Sequence, residues 1–421
     1  MMYELKMKLM RWGRTRYIRY VQPWHFKRRQ HQLNKKVARG ERIKMCFLAM
    51  NLSMWRYQRV YERFAADDRF DVVIVLCPLL QFEKSEQLKD MQDLRDYFTA
   101  RGIPFVDWDD KNEKSMADLR ADINPDIMFY PQQYGGVYYK EQSFHRFMDR
   151  LLCLCPYGLA NEESAWTYNT NFHNFAWKLF YTNQAELKAA QRLADNKGRN
   201  VVVTGYPNMT EYLMPESRDV WKLKDAGIKR LIWAPHYSIM DKGDELRLSN
   251  FLWMADEMVK IAEQYRGRLQ IAFKPHPKLR TRLYQHPDWG QERTDKYYRL
   301  WDEMPNTQLE TGEFIDLFKT SDAMVHDSDS FQIEYLYVNK PVMFVKQREQ
   351  KNTTELRDRA IECHYIGKNI DDIRRFVEMV LNGEDTMREQ RQQFFENYLL
   401  PKSGTDVALN IYNDIVATLK L

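Results

Sequence analysis

Three short polar segments, each following an apolar run, carry the side chains of this sequence best suited to chemistry. They are Pro235-His236-Tyr237-Ser238, Lys274-Pro275-His276-Pro277 and His326-Asp327-Ser328-Asp329-Ser330. Imidazoles, a lysine and hydroxyls at the ends of strands can donate hydrogen bonds to an anion. A backbone turning from a strand into a helix leaves N–H groups free for the same work. Ser and Asp in such a turn serve equally well as helix caps. One histidine is more often structural than functional, but three at successive strand ends favour a site. His236, His276, His326 and Asp327 are competent metal ligands by type. No two histidines stand at the close spacing of a helical ligand pair, however, and Lys274 beside His276 suits an anion, so no metal is expected. The chain has no G-x-S-x-G elbow, no Walker loop and no G-x-G-x-x-G, so neither a serine nucleophile nor a glycine-rich phosphate cradle is expected.

The elements that must position these loops alternate between strand and helix. In the first half, strands are expected at Ile43–Met50, Asp71–Cys77, Phe105–Trp108, Asp126–Tyr130, Leu151–Cys155 and Val201–Thr204. Helices are expected at Trp55–Phe64, Glu86–Arg101, Glu141–Arg150 and Phe172–Tyr181. The pattern restarts with strands at Leu231–Ala234, Leu269–Phe273, Gln308–Glu310, Ala323–Val325 and Val342–Val345. Helices Leu248–Arg266, Tyr297–Glu303, Phe314–Lys319, Asp371–Asn382, Thr386–Tyr398 and Thr405–Leu419 accompany them, as does one carrying Glu334 and Tyr335. Alternation without hairpin signals predicts an α/β fold of two doubly wound parallel-sheet domains facing a central cleft. The expected divisions are a basic amino-terminal arm over 1–42, α/β domains over 43–208 and 209–404, and a carboxy-terminal helix over 405–421 packing back across the domains. In such sheets the loops after different strands converge on one edge, so the three segments are expected to share a pocket.

The 421 residues exceed one ordinary core, and 44% hydrophobic content suffices for two. Five cysteines, without paired zinc spacing, read as reduced and buried in a cytoplasmic protein. No run has the length of a membrane span, and the amino terminus lacks the apolar core of a secretory signal. The net charge of +5 is unevenly placed. Before Met45 only Glu4 and Glu41 oppose a dense series of Lys and Arg interleaved with Leu9, Trp12, Tyr17, Tyr20, Trp24 and Phe26. That combination suits the surface of an anionic membrane. A helix packed on its own domain, or a nucleic-acid contact, are the other readings. The membrane is the expected partner and nucleic acid is not.

Taken in order, the three loops resemble those of the CDP-glycerol glycerophosphotransferase family, the polyol-phosphate transferases of teichoic acid synthesis. The matching residues are Ala234-Pro235-His236, Lys274-Pro275-His276-Pro277, Ser321-Asp322 through Ser330, and Asn339-Lys340-Pro341. Met54-Trp55-Arg56-Tyr57-Gln58 and Thr204-Gly205-Tyr206-Pro207-Asn208 are similar to the surface-polysaccharide branch of that family. The resemblance implies a GT-B fold, with a CDP-polyol donor in the second domain and the acceptor in the first. It implies transfer of a polyol phosphate to a lipid-linked or polymer saccharide acceptor, without a cofactor, by a cytoplasmic protein peripheral on the inner face of the cell membrane.

By the same resemblance the donor-binding residues are Lys274, His236, His276, His326, Asp327, Ser328, Ser330 and Glu334. His276 would meet the diphosphate and Glu334 a hydroxyl. The family's Trp-His-Gly-Thr-Pro histidine has no counterpart, since Cys155-Pro156-Tyr157-Gly158 stands there. His173, with Trp177 one turn further along its helix, is the expected replacement as base, joining His276 and His236 as the catalytic set. A glycosyltransferase using a nucleotide sugar, and an inactive nucleotide- or glycan-binding scaffold, are the alternatives.

Overall fold

The computed structural model describes residues 13–107, 119–160, 162–239, 247–347 and 353–421. Residues 1–12 of the basic arm and Trp108 lie outside the described residues. The chain forms two compact units. One comprises the residues up to Thr210 together with Leu400–Leu421, and the other Glu211–Leu399.

In the first unit, β1 (Ile43–Ala49), β2 (Phe70–Leu76), β3 (Phe105–Val106), β4 (Ile127–Tyr130), β5 (Leu151–Leu154), β6 (Lys178–Tyr181) and β7 (Val201–Val203) form one parallel sheet. Its order is β3-β2-β1-β4-β5-β6-β7. Near-continuous apolar runs such as Ile43–Ala49 require cover on both faces, which is why helices flank the sheet. Phe47 of β1 stacks on Phe129 of β4 at 4.5 Å. The helix Val407–Leu419 belongs to this unit, where Tyr412 packs beside Phe64 and donates to Asp67.

Two expected helices are corrected. Phe172–Tyr181 is a short helix, Asn171–Phe175, followed by strand β6, so Trp177 is not on the helix. The strand was hidden because it opens with a lysine. Lys178 is buried and held by Asp414 and Thr418, partners more than two hundred residues away that no local pattern reveals. Glu141–Arg150 is a run of turns with a single 3₁₀ turn at Phe144–Phe147. Gln142 is committed there, its carbonyl accepting from Tyr130 Oη and its side chain from Cys77 Sγ.

The basic arm continues as the helix Gln22–Ala38, and one face of it packs on its own unit. Arg29 and Lys36 each hold one oxygen of Asp126, at 2.6 and 2.7 Å, while Gln22 donates to the Asn174 carbonyl. Trp24 (55%) is exposed on this helix with Arg28 over its ring, and Tyr20 (63%) is exposed in the turn before it with Arg19 over its ring. No Asp or Glu occurs between Gly13 and Gly40. Among the described residues no helix is long and apolar enough to cross a membrane. All five cysteines are buried and unpaired.

In the second unit, β8 (Lys229–Ala234), β9 (Leu269–Phe273), β10 (Thr307–Leu309), β11 (Ala323–His326), β12 (Val342–Val345) and β13 (Tyr365–Gly367) form a parallel sheet ordered β10-β9-β8-β11-β12-β13. Trp233, Phe251, Phe273 and Trp301 pack ring against ring beneath it. The strand order turns back between β8 and β11. Ligands of doubly wound sheets bind beyond the carboxyl ends at that point.

Candidate functional site

The loops after β8, β9 and β11 are tied to one another by backbone bonds. The His276 N–H donates to the Pro235 carbonyl at 3.0 Å, joining the β9 loop to the β8 loop. The Asp327 carboxylate, just past β11, accepts the backbone N–H groups of both His236 and Asn250. Asn250 stands before the helix Phe251–Gln264, and its own amide donates to the Val345 carbonyl at the end of β12. Four strand ends are thereby fixed relative to one another around the turning point of the sheet.

Within this frame the His236 and His276 rings lie 5.2 Å apart, with Tyr237 against both, at 4.3 and 4.5 Å. Each ring accepts at Nδ1 from the backbone N–H two residues on, His236 from Ser238 at 3.3 Å and His276 from Lys278 at 3.2 Å. An Nδ1 that accepts leaves the ring proton on Nε2. Neither Nε2 has a hydrogen-bond partner among the described residues. Burial pushes the His236 pKa down to about 3, with His276 adding to the effect. Burial likewise lowers His276 to about 4, helped by Lys278 and Lys274. The pair therefore presents two neutral N–H donors beside lysine charge, a combination suited to phosphate oxygens. Lys274 itself is buried, donates to the Gly312 carbonyl at 2.9 Å and lies over the Phe314 ring.

The remaining expected residues are not all brought to this pair. His326 ends β11 with its ring inside the fold, against Phe344 and His364. As a strand residue it points into a layer rather than out of the loop, and burial lowers its pKa far below the usual range. Asp327 is buried, and both its oxygens are engaged by backbone N–H groups. Desolvation raises its carboxyl to about 7 against those bonds. Ser328 is buried, whereas Ser330 is exposed and its side chain does not cap the helix that follows. Glu334 is buried and accepts from Tyr212 Oη at 3.0 Å.

His173, in the first unit, is only 2% exposed, bonds Thr170 Oγ1 through Nδ1 at 2.8 Å and is pushed down to about 3 by burial. That proton affinity is low for a base at neutral pH. Among the described residues no group of three or more His, Cys, Asp or Glu is arranged to hold a metal ion.

Sequence reasoning named Tyr237 and Ser238 only as members of a polar segment, with no role of their own, and passed over Asn250. Asn250 before an apolar helical run carried a capping signal, but its bond to β12 had none. In the first unit it also passed over Asp90. This half-buried carboxyl is raised to about 6 by desolvation and bonds the side chain of Asn51, just beyond the end of β1.

Comparison with known proteins follows this geometry. Solved structures that match along most of the chain include the wall teichoic acid polymerase TagF, with TM-score 0.57, 11% identity, and coverage of 94% of this chain and 98% of that one. The S. aureus MnaA–UDP structure matches with TM-score 0.57, 12% identity, and coverage of 90% and 97%. UDP-GlcNAc 2-epimerase from Neisseria meningitidis bound to UDP-GlcNAc matches with TM-score 0.54, 10% identity, and coverage of 89% and 99%. At these identities the likeness is one of fold, the GT-B class of two parallel-sheet α/β units. No curated protein matches the sequence. The family described as CDP-Glycerol:Poly(glycerophosphate) glycerophosphotransferase matches residues 158–416, which include all three polar loops and more than half of the sequence. The chain belongs to that family.

Proposed function

We propose that this protein transfers a polyol phosphate from a CDP-polyol to a membrane-associated saccharide acceptor in the synthesis of a bacterial surface polymer. The observation that carries the reading is the His236–His276 pair, two neutral N–H donors at the turning point of the second sheet, inside the family match. In the reaction an acceptor hydroxyl oxygen attacks the phosphorus that bears the polyol. The bond from that phosphorus to the bridging oxygen breaks, and CMP leaves. His236 and His276 hold the diphosphate oxygens, and Lys274 adds positive charge nearby.

On the acceptor side, His173 is buried and its proton affinity is low for a base at neutral pH. The exposed basic and aromatic face of the helix Gln22–Ala38 fits attachment to an anionic membrane, where a lipid-linked acceptor would lie. The cytoplasmic face of the cell membrane is the location this reading implies. A titration calorimetry series with CDP-glycerol, CDP-ribitol, CDP, UDP and UDP-sugars tests it. Preference for the cytidine ligands supports the proposal. Preference for uridine ligands replaces it with a nucleotide-sugar glycosyltransferase, and silence throughout replaces it with a scaffold.

A further inference from the structure

His236 has a third attachment that no role assigned so far requires. The Ser238 hydroxyl lies 2.8 Å from His236 Nδ1 and at the same time accepts the Leu248 N–H at 2.8 Å. Both residues are buried. Since the Ser238 N–H already points at Nδ1, that nitrogen is bare, and the hydroxyl must donate to it. The imidazole is thus gripped at one nitrogen by two donors of a single residue, and the other nitrogen can only present N–H. An imidazolium would carry a proton on Nδ1, facing the Ser238 N–H, so the arrangement favours the neutral ring. The charged and titratable groups around the ring act in the same direction. His276 disfavours a proton on the His236 ring, Lys274 and Lys278 do the same at His276 beside it, and the Asp327 carboxylate is turned to the His236 backbone rather than to its ring. His276 reaches the same tautomer through the Lys278 N–H alone, without a hydroxyl.

We infer that Ser238 is a positioning residue, one that fixes His236 as a neutral Nε2–H donor and so makes recognition of the donor diphosphate independent of pH across the range where histidines ordinarily titrate. The inference rests on the proposed donor site for its function, but the tautomer itself can be measured without any ligand.

The test has two arms. Long-range proton–nitrogen correlation spectra of the ¹⁵N-histidine-labelled full chain, assigned with His236→Gln, report which ring nitrogen of His236 carries the proton between pH 5.5 and 8. The expected result is a bare Nδ1 throughout. A protonated Nδ1, or an ordinary histidine titration, overturns the inference whatever the variants do.

In the second arm, CDP-glycerol is titrated into wild type, Ser238→Ala and Ser238→Thr. This diphosphate diester has no phosphate proton of its own to exchange in that range. Wild-type affinity should be flat with pH. Ser238→Ala should bind about tenfold more weakly, as expected for loss of one fixed donor, and its spectra should show His236 partly protonated at Nδ1 instead of Nε2. Ser238→Thr should keep the flat profile. A Ser238→Ala variant with weaker binding but an unchanged His236 tautomer would mean Ser238 only supports the loop, and the positioning role falls. If the wild-type tautomer is as stated but CDP-glycerol does not bind, the donor-site reading fails and the tautomer lock stands as a structural fact.

Discussion

Asp327→Asn separates stability from function at one atom. The wild-type carboxylate spends both oxygens on backbone N–H groups of His236 and Asn250. An asparagine can accept only one of these and turns its NH₂ toward the other. The loss is one hydrogen bond to a charged group, about 1.5–3 kcal/mol. Against it stands relief from burying a charge. The folded carboxyl is raised to about 7 by desolvation, while an unfolded aspartate ionises near 4. The sign follows from that direction. Below pH ~4 both states are protonated and stability is full, and it is lost as pH rises through about 7 because only the unfolded chain ionises freely.

Between pH 5.5 and 7 the wild type should lose roughly 2 kcal/mol in this way, a loss the asparagine variant escapes. For a unit of this size that is a shift of about 4–8 °C in relative melting temperature. The assay is the thermal melt of both proteins at pH 5.5 and 8, beside CDP-glycerol titrations at each pH. The variant should gain on the wild type as pH rises, and should bind donor more weakly at both pH values because the His236 loop has lost its anchor. A melting difference that does not move with pH would refute the burial argument, and undiminished donor affinity would refute the anchoring one.

His276→Ala removes a partly buried ring from a loop, so the fold should survive while CDP-glycerol affinity falls roughly 10–100-fold, read by calorimetry alongside a melt. Trp24→Ala combined with Arg28→Ala should weaken co-sedimentation with phosphatidylserine vesicles by about tenfold or more, with little effect on phosphatidylcholine vesicles. Asp126→Asn should release the Arg29 and Lys36 contacts and make the helix Gln22–Ala38 more susceptible to trypsin, whereas an unchanged cleavage pattern would show that its apolar contacts suffice.

The sequence by itself determined the class of fold and marked the polar loops from which the candidate site is built. Apolar runs such as Leu269–Phe273 and Val342–Val345 specify buried strands because a parallel sheet needs apolar cover on both faces, and those two strands have the bounds expected of them. Polar loops directly after such runs mark the carboxyl edge of the sheet, and with them the two histidines that meet there. Tertiary structure decided which side chains of those loops face outward. His326 was indistinguishable from His236 and His276 by type and spacing, yet as the last residue of β11 it turns inward onto Phe344. Asp327 looked like a ligand contact and is instead consumed by two backbone donors from distant segments. Lys178 disguised a buried strand because its partners Asp414 and Thr418 arrive from the far end of the chain. Local pattern records whether a residue can be buried or can bond. Which partner satisfies it depends on contacts across the sequence, and those exist only once the sheets have formed.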